Sequence, residues 1–167
     1  MMVWIERGGP VMWPLLVLSL WTVWLVLERL FFWLRAAGEG RAAFNRARER
    51  HLGETPLDPA SLEQLLFADE RRATRGLASF EVIVAAAPML GILGTVLGII
   101  DAFGALSARA NMDPLAVSGG VAEALLTTAT GLVVALLALF PGHYFRARAD
   151  RRAEVLEREG RSRLMTP

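Results

Sequence analysis

The sequence predicts an all-α integral membrane protein with three transmembrane helices, which cytoplasmic helices extend. The chain of 167 residues is 54% hydrophobic, whereas soluble domains are typically about 45–50% apolar. The apolar residues are concentrated in three runs that alternate with charged, Arg-rich segments. Each run is long enough to supply the roughly 20 residues that cross a bilayer, so these observations together indicate three membrane spans.

The arginine distribution predicts the orientation of the spans. Eight arginines lie from Arg35 to Arg75 and seven follow from Arg146 onward, whereas Arg7 and Arg109 stand alone in their segments. Segments rich in arginine stay on the cytoplasmic side, which gives an outer N-terminus and an inner C-terminus. The predicted order is outer tail 1–10, transmembrane helix 11–34, cytoplasmic helical loop 35–81, transmembrane helix 82–107, outer loop 108–117, transmembrane helix 118–142 and cytoplasmic tail 143–167.

The predicted cytoplasmic segments read as helices. One helix is expected from Gly38 to His51. A second is expected to be capped by Asp58 or Ser61, with Gln64 at capping-box spacing from Ser61, and to continue into the second transmembrane helix. The alternating charges of the tail predict a helical extension of the third. These charges are typical of a solvated face, with partner chains or acidic headgroups as the alternative contacts.

Small residues follow one face of the second transmembrane helix. At about 100° per residue, Gly91, Gly94 and Gly98 share this face with Asp101. Small residues let helix backbones approach closely, so these glycines and Gly131 of the third helix are predicted packing positions. For Asp101, near the outer end, packing or hydration is favoured over proton carriage.

A carboxylate and several hydroxyls lie in the third transmembrane helix. Glu123, Thr127 and Thr130 fall within about 60° of each other. A charge at mid-membrane costs at least about 2.5–3.5 kcal/mol, so a carboxylate within a span usually faces a cavity or partner and marks an ion path. The alternative for Glu123 is structural pairing, for example with Arg109 or a neighbouring subunit.

Two threonines are expected in one layer near mid-membrane. Thr95 lies about 20 Å from the inner start of its helix and Thr128 about 15 Å from the outer start of the next, at 1.5 Å per residue. A hydroxyl both donates and accepts, so Thr95, Thr127, Thr128 and Glu123 are the candidate proton path. Each threonine could instead bond the carbonyl four residues earlier in its own helix.

Several functional classes find no support in the sequence. The chain has no cysteine, which excludes thiolate metal sites and cysteine nucleophiles. It has no Walker motif, HExxH or paired intramembrane aspartates, so we expect neither enzymatic activity nor a cofactor or metal. The net charge of +1 provides no basic field for nucleic acid.

Two longer motifs resemble a known family. Ala87 to Phe103 resembles the ExbB/TolQ pattern Ala-Pro-x-x-Gly-x-x-Gly-Thr-Val-x-Gly-Ile. Ala122 to Leu132 resembles Ala-Glu-Ala-Leu-x-x-Thr-Ala-x-Gly-Leu, and Glu28-Arg29-Leu30 also looks like the family. On these motifs the chain resembles the ExbB/TolQ/MotA proton-channel family in a short, ExbB-like form.

The resemblance implies a multi-pass subunit of the bacterial inner membrane that forms a ring, a homopentamer, around a single-span ExbD/TolR-type partner. Such a proton-driven motor energises transport or envelope work through a TonB- or TolA-like protein. By motif position, Thr95 and Thr128 would be lumen hydroxyls and Glu123 the carboxylate near the outer mouth. The alternative is a structural membrane scaffold without proton conduction.

The chain departs from the family pattern at three positions. Asp101 stands where the family usually has Asn or His, and Thr127 stands where a small apolar residue is usual. Leu137 replaces a proline that here follows one turn later as Pro141. The carboxylate of Asp101 would change the chemistry of the outer mouth, and Pro141 would displace the kink of the third helix by one turn.

Overall fold

The computed structural model describes residues 9–36, 41–53, 57–107 and 114–165, without the side chains of 41, 105–107 and 114–117. The described residues form five α-helices and no strand, which confirms the all-α class. The helices are α1 (Met12–Arg35), α2 (Arg41–His51), α3 (Pro59–Thr74), α4 (Leu77–Ser107) and α5 (Pro114–Met165).

Three stretches of helix are long and apolar enough to cross a membrane, as predicted. They lie within Met12–Arg35, Pro59–Gly104 and Ser118–Met165. Helix α1 begins and ends one residue later than the first predicted span. Helix α4 begins five residues before the second predicted span. Helix α5 continues without interruption through Pro141, so the expected helical extension of the third span is present. Several predicted segments lie partly outside the described residues. These are most of the outer tail, residues 37–40 of the cytoplasmic loop, residues 108–113 of the outer loop and the last two residues of the cytoplasmic tail.

The expected continuity of α3 with the second span is wrong. Helix α3 ends at Thr74 and α4 begins at Leu77. Gly76 between them has φ +80°, the left-handed conformation that glycine adopts without a Cβ penalty and that commonly ends helices. The glycine therefore separates two helices where we expected one.

The capping box of α3 also differs from the predicted pairing of Ser61 with Gln64. Asp58 is the N-cap, and its Oδ1 accepts from the Ser61 backbone N–H at 2.7 Å. The Asp58 N–H donates to Ser61 Oγ at 2.9 Å, which closes the box three residues earlier than expected. Hydrogen bonds that the Ser61 side chain and backbone make to the Asp58 carboxyl lower its pKa. Pro59 at the first helical position needs no N–H partner, which suits this start.

The chain divides into two compact units. The transmembrane unit comprises Met1–Leu25 and Ser79–Phe140, and the loop unit comprises Val26–Ala78 and Pro141–Pro167. Many large apolar side chains of the transmembrane unit are exposed, including Met89, Ile100 and Phe140. Soluble monomers rarely expose contiguous apolar surface of this kind, so lipid or other membrane subunits are expected to cover it.

The loop unit has its own apolar core. The cluster joins α2, α3 and the C-terminal part of α5 through Ala43, Phe44, Ala47, Leu62, Leu65 and Leu156. Gly160 lets α5 approach this cluster, because a Cβ there would collide with Leu62. Burial of these side chains stabilises the unit by removing apolar surface from water.

A buried ion pair lies in the same unit. Arg152 Nε donates to Asp69 Oδ2 at 2.6 Å and Arg152 Nη2 donates to Asp69 Oδ1 at 3.1 Å. The two side chains are only 9% and 4% exposed, respectively. Arg152 Nη1 also donates to the Ala36 carbonyl at 3.5 Å. The arginine thus connects α5 to α3 and to the residue that follows α1.

His51 lies beside this pair, with Nε2 3.9 Å from Asp69 Oδ1. Burial lowers the pKa of His51, and although the Asp69 carboxylate opposes this shift, Arg50, Arg72 and Arg152 add to it. The folded state therefore favours the neutral imidazole more strongly than the unfolded chain does.

This lowered pKa makes stability depend on pH. Neutral His51 contributes fully above the unfolded-state pKa of 6.5, and the contribution is lost as the pH falls towards the lower folded-state value. Acidification from about pH 7.5 to about pH 5.5 should therefore lower the Tm of the wild type more than that of His51→Gln. Thermal unfolding of both proteins in detergent measures the difference, and equal decreases would contradict it.

Candidate functional site

Glycines bring α4 and α5 into backbone contact. A Cβ on Gly91 would lie 3.0 Å from Thr128 Cα, and one on Gly94 would lie 2.6 Å from Thr127 Oγ1. A Cβ on Gly131 would lie 2.5 Å from the Ala87 carbonyl oxygen. The approaches at Gly94 and Gly131 are shorter than side-chain carbons make, and the approach at Gly91 is tighter than most of them, so glycine at these positions lets the two helices pack closely.

The fourth predicted packing glycine, Gly98, lies at the same interface. Its Cβ would be 2.9 Å from Ala124 Cβ. A further glycine, which the sequence analysis did not single out, continues the contact, because a Cβ on Gly120 would lie 2.8 Å from Ala102 Cβ. Gly120 is visible in the sequence, but a single glycine does not show the helical spacing that identified the other packing positions.

The close packing places two threonine hydroxyls in contact. Thr95 Oγ1 and Thr128 Oγ1 are hydrogen-bonded to each other across the two helices. Both also reach the Gly91 carbonyl oxygen, at 3.1 Å and 3.0 Å. The depth estimate put these residues in one layer, and the structure brings them together as a hydroxyl pair (Thr95 and Thr128).

The two hydroxyls of the pair have more acceptor oxygens within reach than protons to donate. Thr95 Oγ1 lies within reach of Thr128 Oγ1, of the Gly91 oxygen and, at 3.4 Å, of the Ala124 oxygen. Each hydroxyl carries one proton and two acceptor lone pairs, so only some of these bonds form at one time. Rotation about one C–O bond exchanges the partners without backbone movement, which is the local freedom that a proton relay needs.

Of the other two threonines, Thr130 makes the expected bond to the carbonyl four residues earlier, as Thr95 also does, whereas Thr127 bonds the carbonyl three residues earlier. Thr127 is 1% exposed, and its hydroxyl donates to the Ala124 carbonyl at 2.6 Å. The Thr130 hydroxyl donates to the Leu126 carbonyl at 2.8 Å. Thr127 also fills the space beside Gly94. This arrangement favours a packing role for Thr127 over its predicted place in the proton path.

Two carboxylates share a cavity of about 180 Å³ in the transmembrane unit. Glu123 of α5 and Asp101 of α4 both line this carboxylate cavity, together with Gly94, Gly98 and Ala124. Its volume and the two carboxylates in its lining suit ordered water. Ala124 also connects the cavity to the hydroxyl pair, because its carbonyl lies 3.4 Å from Thr95 Oγ1. From the sequence, Asp101 was expected to serve packing or hydration, and its place in one cavity with Glu123 was not predicted.

Across residues 9–36, 41–53, 57–107 and 114–165, no group of three or more His, Asp or Glu side chains converges as ligands would. Two carboxylates beside hydroxyls are instead suited to holding and passing protons through water.

A larger side chain at Gly131 should separate the helices. Gly131→Ala brings a methyl group against backbone atoms of Ala87 and Gly91, which cannot rotate away. We expect a loss of about 1–3 kcal/mol of stability from overpacking, measured as a lower Tm of the protein in detergent. Gly119→Ala is the matched control, since no atom lies within 4 Å of its Cβ. Equal stability of the two variants would contradict the close contact.

Comparison with known proteins gives these features a context. Residues 41–158 match the sequence profile of the MotA/TolQ/ExbB proton channel family. An ExbB-like biopolymer transport protein of Synechocystis is 34% identical over 166 residues, which cover 80% of this chain and 65% of that protein. An ExbB homolog of Methanothermobacter thermautotrophicus is 37% identical over 97 residues, or 58% of this chain and 34% of that protein.

A third relative matches over more of both chains. The biopolymer transport protein exbB1 of Vibrio cholerae is 28% identical over 189 residues, which cover 91% of this chain and 82% of that protein. The chain spans less than two thirds of the length of the Synechocystis and Methanothermobacter proteins. The family match nevertheless covers most of the chain and includes both helices of the site. With three membrane-spanning helices and this match, the chain is a multi-pass membrane protein that belongs to the MotA/TolQ/ExbB proton channel family.

Proposed function

We propose that this chain is the channel-forming subunit of a proton-driven motor in the bacterial inner membrane. Proton flow through it would energise transport or envelope work, in keeping with the names of its relatives as biopolymer transport proteins. The observation that carries the proposal is the hydroxyl pair of Thr95 and Thr128, beside a cavity that Asp101 and Glu123 line. The proposal involves no enzymatic activity, cofactor, metal or nucleic acid.

The proton path would begin in the carboxylate cavity. Glu123 and Asp101 would hold a proton or hydronium near the predicted outer side, since carboxylates offset part of the cost of positive charge in the membrane. The proton would pass through water to Thr95, whose hydroxyl accepts one proton as it donates its own to Thr128. Each proton that crosses the full potential supplies about 2.3 kcal/mol per 100 mV.

The motor would require further subunits. The exposed apolar side chains of α4 and α5 leave surface for neighbouring copies and for a central partner. We propose a homopentamer around a single-span ExbD/TolR-like protein, which would receive the proton and move relative to the ring. A TonB- or TolA-like protein would then transmit the force.

A membrane scaffold without proton conduction is the second candidate. The hydrogen bond from Thr95 to Gly91 within one helix and the stripe of glycines both serve helix packing. This function predicts that an assembled chain conducts no protons with any partner.

Two measurements test the proposed function. The first is the native mass of the chain co-expressed with a single-span partner, where a ring holding fewer partner copies is expected. The second is proton uptake by vesicles containing that complex, compared with vesicles containing Glu123→Gln. A ring that conducts, and a variant that conducts less, support the motor. An assembled ring without proton uptake would leave the scaffold as the function.

A further inference from the structure

A second and larger cavity lies in the loop unit. It has a volume of about 650 Å³ and is lined by Glu28, Arg29, Phe32, Arg71, Arg72 and Arg75. Four arginines and one glutamate give this arginine pocket a net charge of +3. It combines the last turns of α1 with the end of α3 and the turn after it, so residues about 45 positions apart form one site. The proton path uses none of them.

Arg29 is the buried member of the pocket. It is 2% exposed, and its Nη2 donates to Glu28 Oε1 at 3.0 Å while Nη1 donates to the Ala73 carbonyl at 3.4 Å. Its Nε is buried and has no hydrogen-bond partner among the described residues. Buried donors are rarely left unpaired in folded proteins, and a charged one is unpaired here, which indicates that an acceptor is missing from the pocket.

The other three arginines bring charge without a carboxylate partner. Arg71, Arg72 and Arg75 are exposed, and no acidic side chain in the described ranges forms an ion pair with them. Aromatic rings position two of them, because the Arg71 guanidinium lies 5.6 Å from the Phe67 ring centre and that of Arg72 lies 6.0 Å from Phe32. Guanidinium groups bind phosphate through paired hydrogen bonds, so the pocket matches a phosphate-bearing anion.

The surroundings of the pocket favour a membrane lipid as the source of that anion. Leu30, Phe31 and Leu34 on the same turns of α1 are exposed apolar side chains. The arginine distribution predicts that this end of α1 lies at the cytoplasmic membrane surface, where anionic headgroups are found. Acyl chains would then cover the apolar rim while the headgroup enters the pocket.

We propose that the arginine pocket binds a phosphate group, as carried by an anionic phospholipid headgroup of the inner leaflet. A free phosphate anion shares the same chemistry. The phosphate would accept hydrogen bonds from Arg71, Arg72 and Arg75 and would neutralise the excess charge beside Arg29. The bound headgroup would thereby fix the end of α1 against the turn that precedes α4.

The proposal is tested by titrating the detergent-purified full chain with phosphatidylglycerol, in wild type and in the double variant Arg71→Gln/Arg75→Gln, by native mass spectrometry. Each arginine near an anionic headgroup contributes about a factor of five in affinity, so the double variant should bind about 25-fold more weakly. Both replaced side chains are exposed, which spares the fold. Arg151→Gln/Arg158→Gln, also exposed in the loop unit, is the matched control and should bind like the wild type.

Two further probes identify the source of the phosphate. Phosphatidylcholine with the same acyl chains carries a phosphate but no net charge, and excess inorganic phosphate competes without acyl chains. Selective binding of phosphatidylglycerol that resists inorganic phosphate assigns the pocket to lipid, and displacement by inorganic phosphate assigns it to the free anion. Equal binding of both lipids, or an equal loss of affinity in the control variant, would overturn the proposal.

Discussion

Thr128→Val is expected to abolish proton conduction by the assembled protein while its fold and assembly remain. Valine has nearly the shape of threonine, so the contact with Gly91 is retained, but the hydroxyl that bonds Thr95 Oγ1 and the Gly91 carbonyl is lost. Valine neither donates nor accepts a proton. Loss of a positioned proton-transfer group typically costs about 10²–10⁴ in rate, and a comparable decrease in proton flux is expected.

The experiment measures proton uptake by vesicles that contain the co-purified complex. Thr130→Val is the matched control, because it makes the same change in the same helix to a hydroxyl that bonds only the Leu126 carbonyl in the described structure. Thr128→Ser should restore conduction, since serine keeps the hydroxyl. Conduction by Thr128→Val at the level of Thr130→Val would show that the hydroxyl pair serves packing alone.

Helix periodicity made the transmembrane part of the site predictable. The spacing of Gly91, Gly94 and Gly98 identified one face of α4 without knowledge of its neighbour, because a helix repeats every 3.6 residues. Counting the rise per residue was sufficient to put Thr95 and Thr128 at one depth. Both inferences depend only on local geometry and on the thickness of the bilayer.

Features that depend on how helices meet were not predictable in this way. Asp101 and Glu123 line one cavity because of the packing of α4 on α5, which neither helix encodes alone. The arginine pocket likewise joins the end of α1 to the end of α3. At the start of α3 the N-cap is Asp58, one of the two expected residues, and only the capping box of Ser61 with Gln64 was wrong. Asp and Ser both serve well as N-caps, so the sequence did not decide between them.

The ion pair of Asp69 and Arg152 could not be predicted from the sequence either. The two residues are 83 positions apart, and in the sequence each charge looks like part of a solvated helix face. Their burial changes the expected effect of mutation. Arg152→Gln should destabilise the protein by about 3–5 kcal/mol, because it leaves the Asp69 carboxylate buried without its partner. Unfolding of the full chain in detergent, followed by helical circular dichroism, measures the loss as a lower Tm.

The control is the exposed pair of Glu157 and Arg161, whose side chains are 48% and 68% exposed. Arg161→Gln removes the same charge from the same helix, yet a surface pair contributes only about 0–1 kcal/mol. Equal losses in Arg152→Gln and Arg161→Gln would mean that water reaches Asp69. The double variant Asp69→Leu/Arg152→Met should recover most of the stability, because two apolar side chains leave no buried charge unpaired. Such recovery would mean that the cost in Arg152→Gln comes from desolvation of the remaining carboxylate.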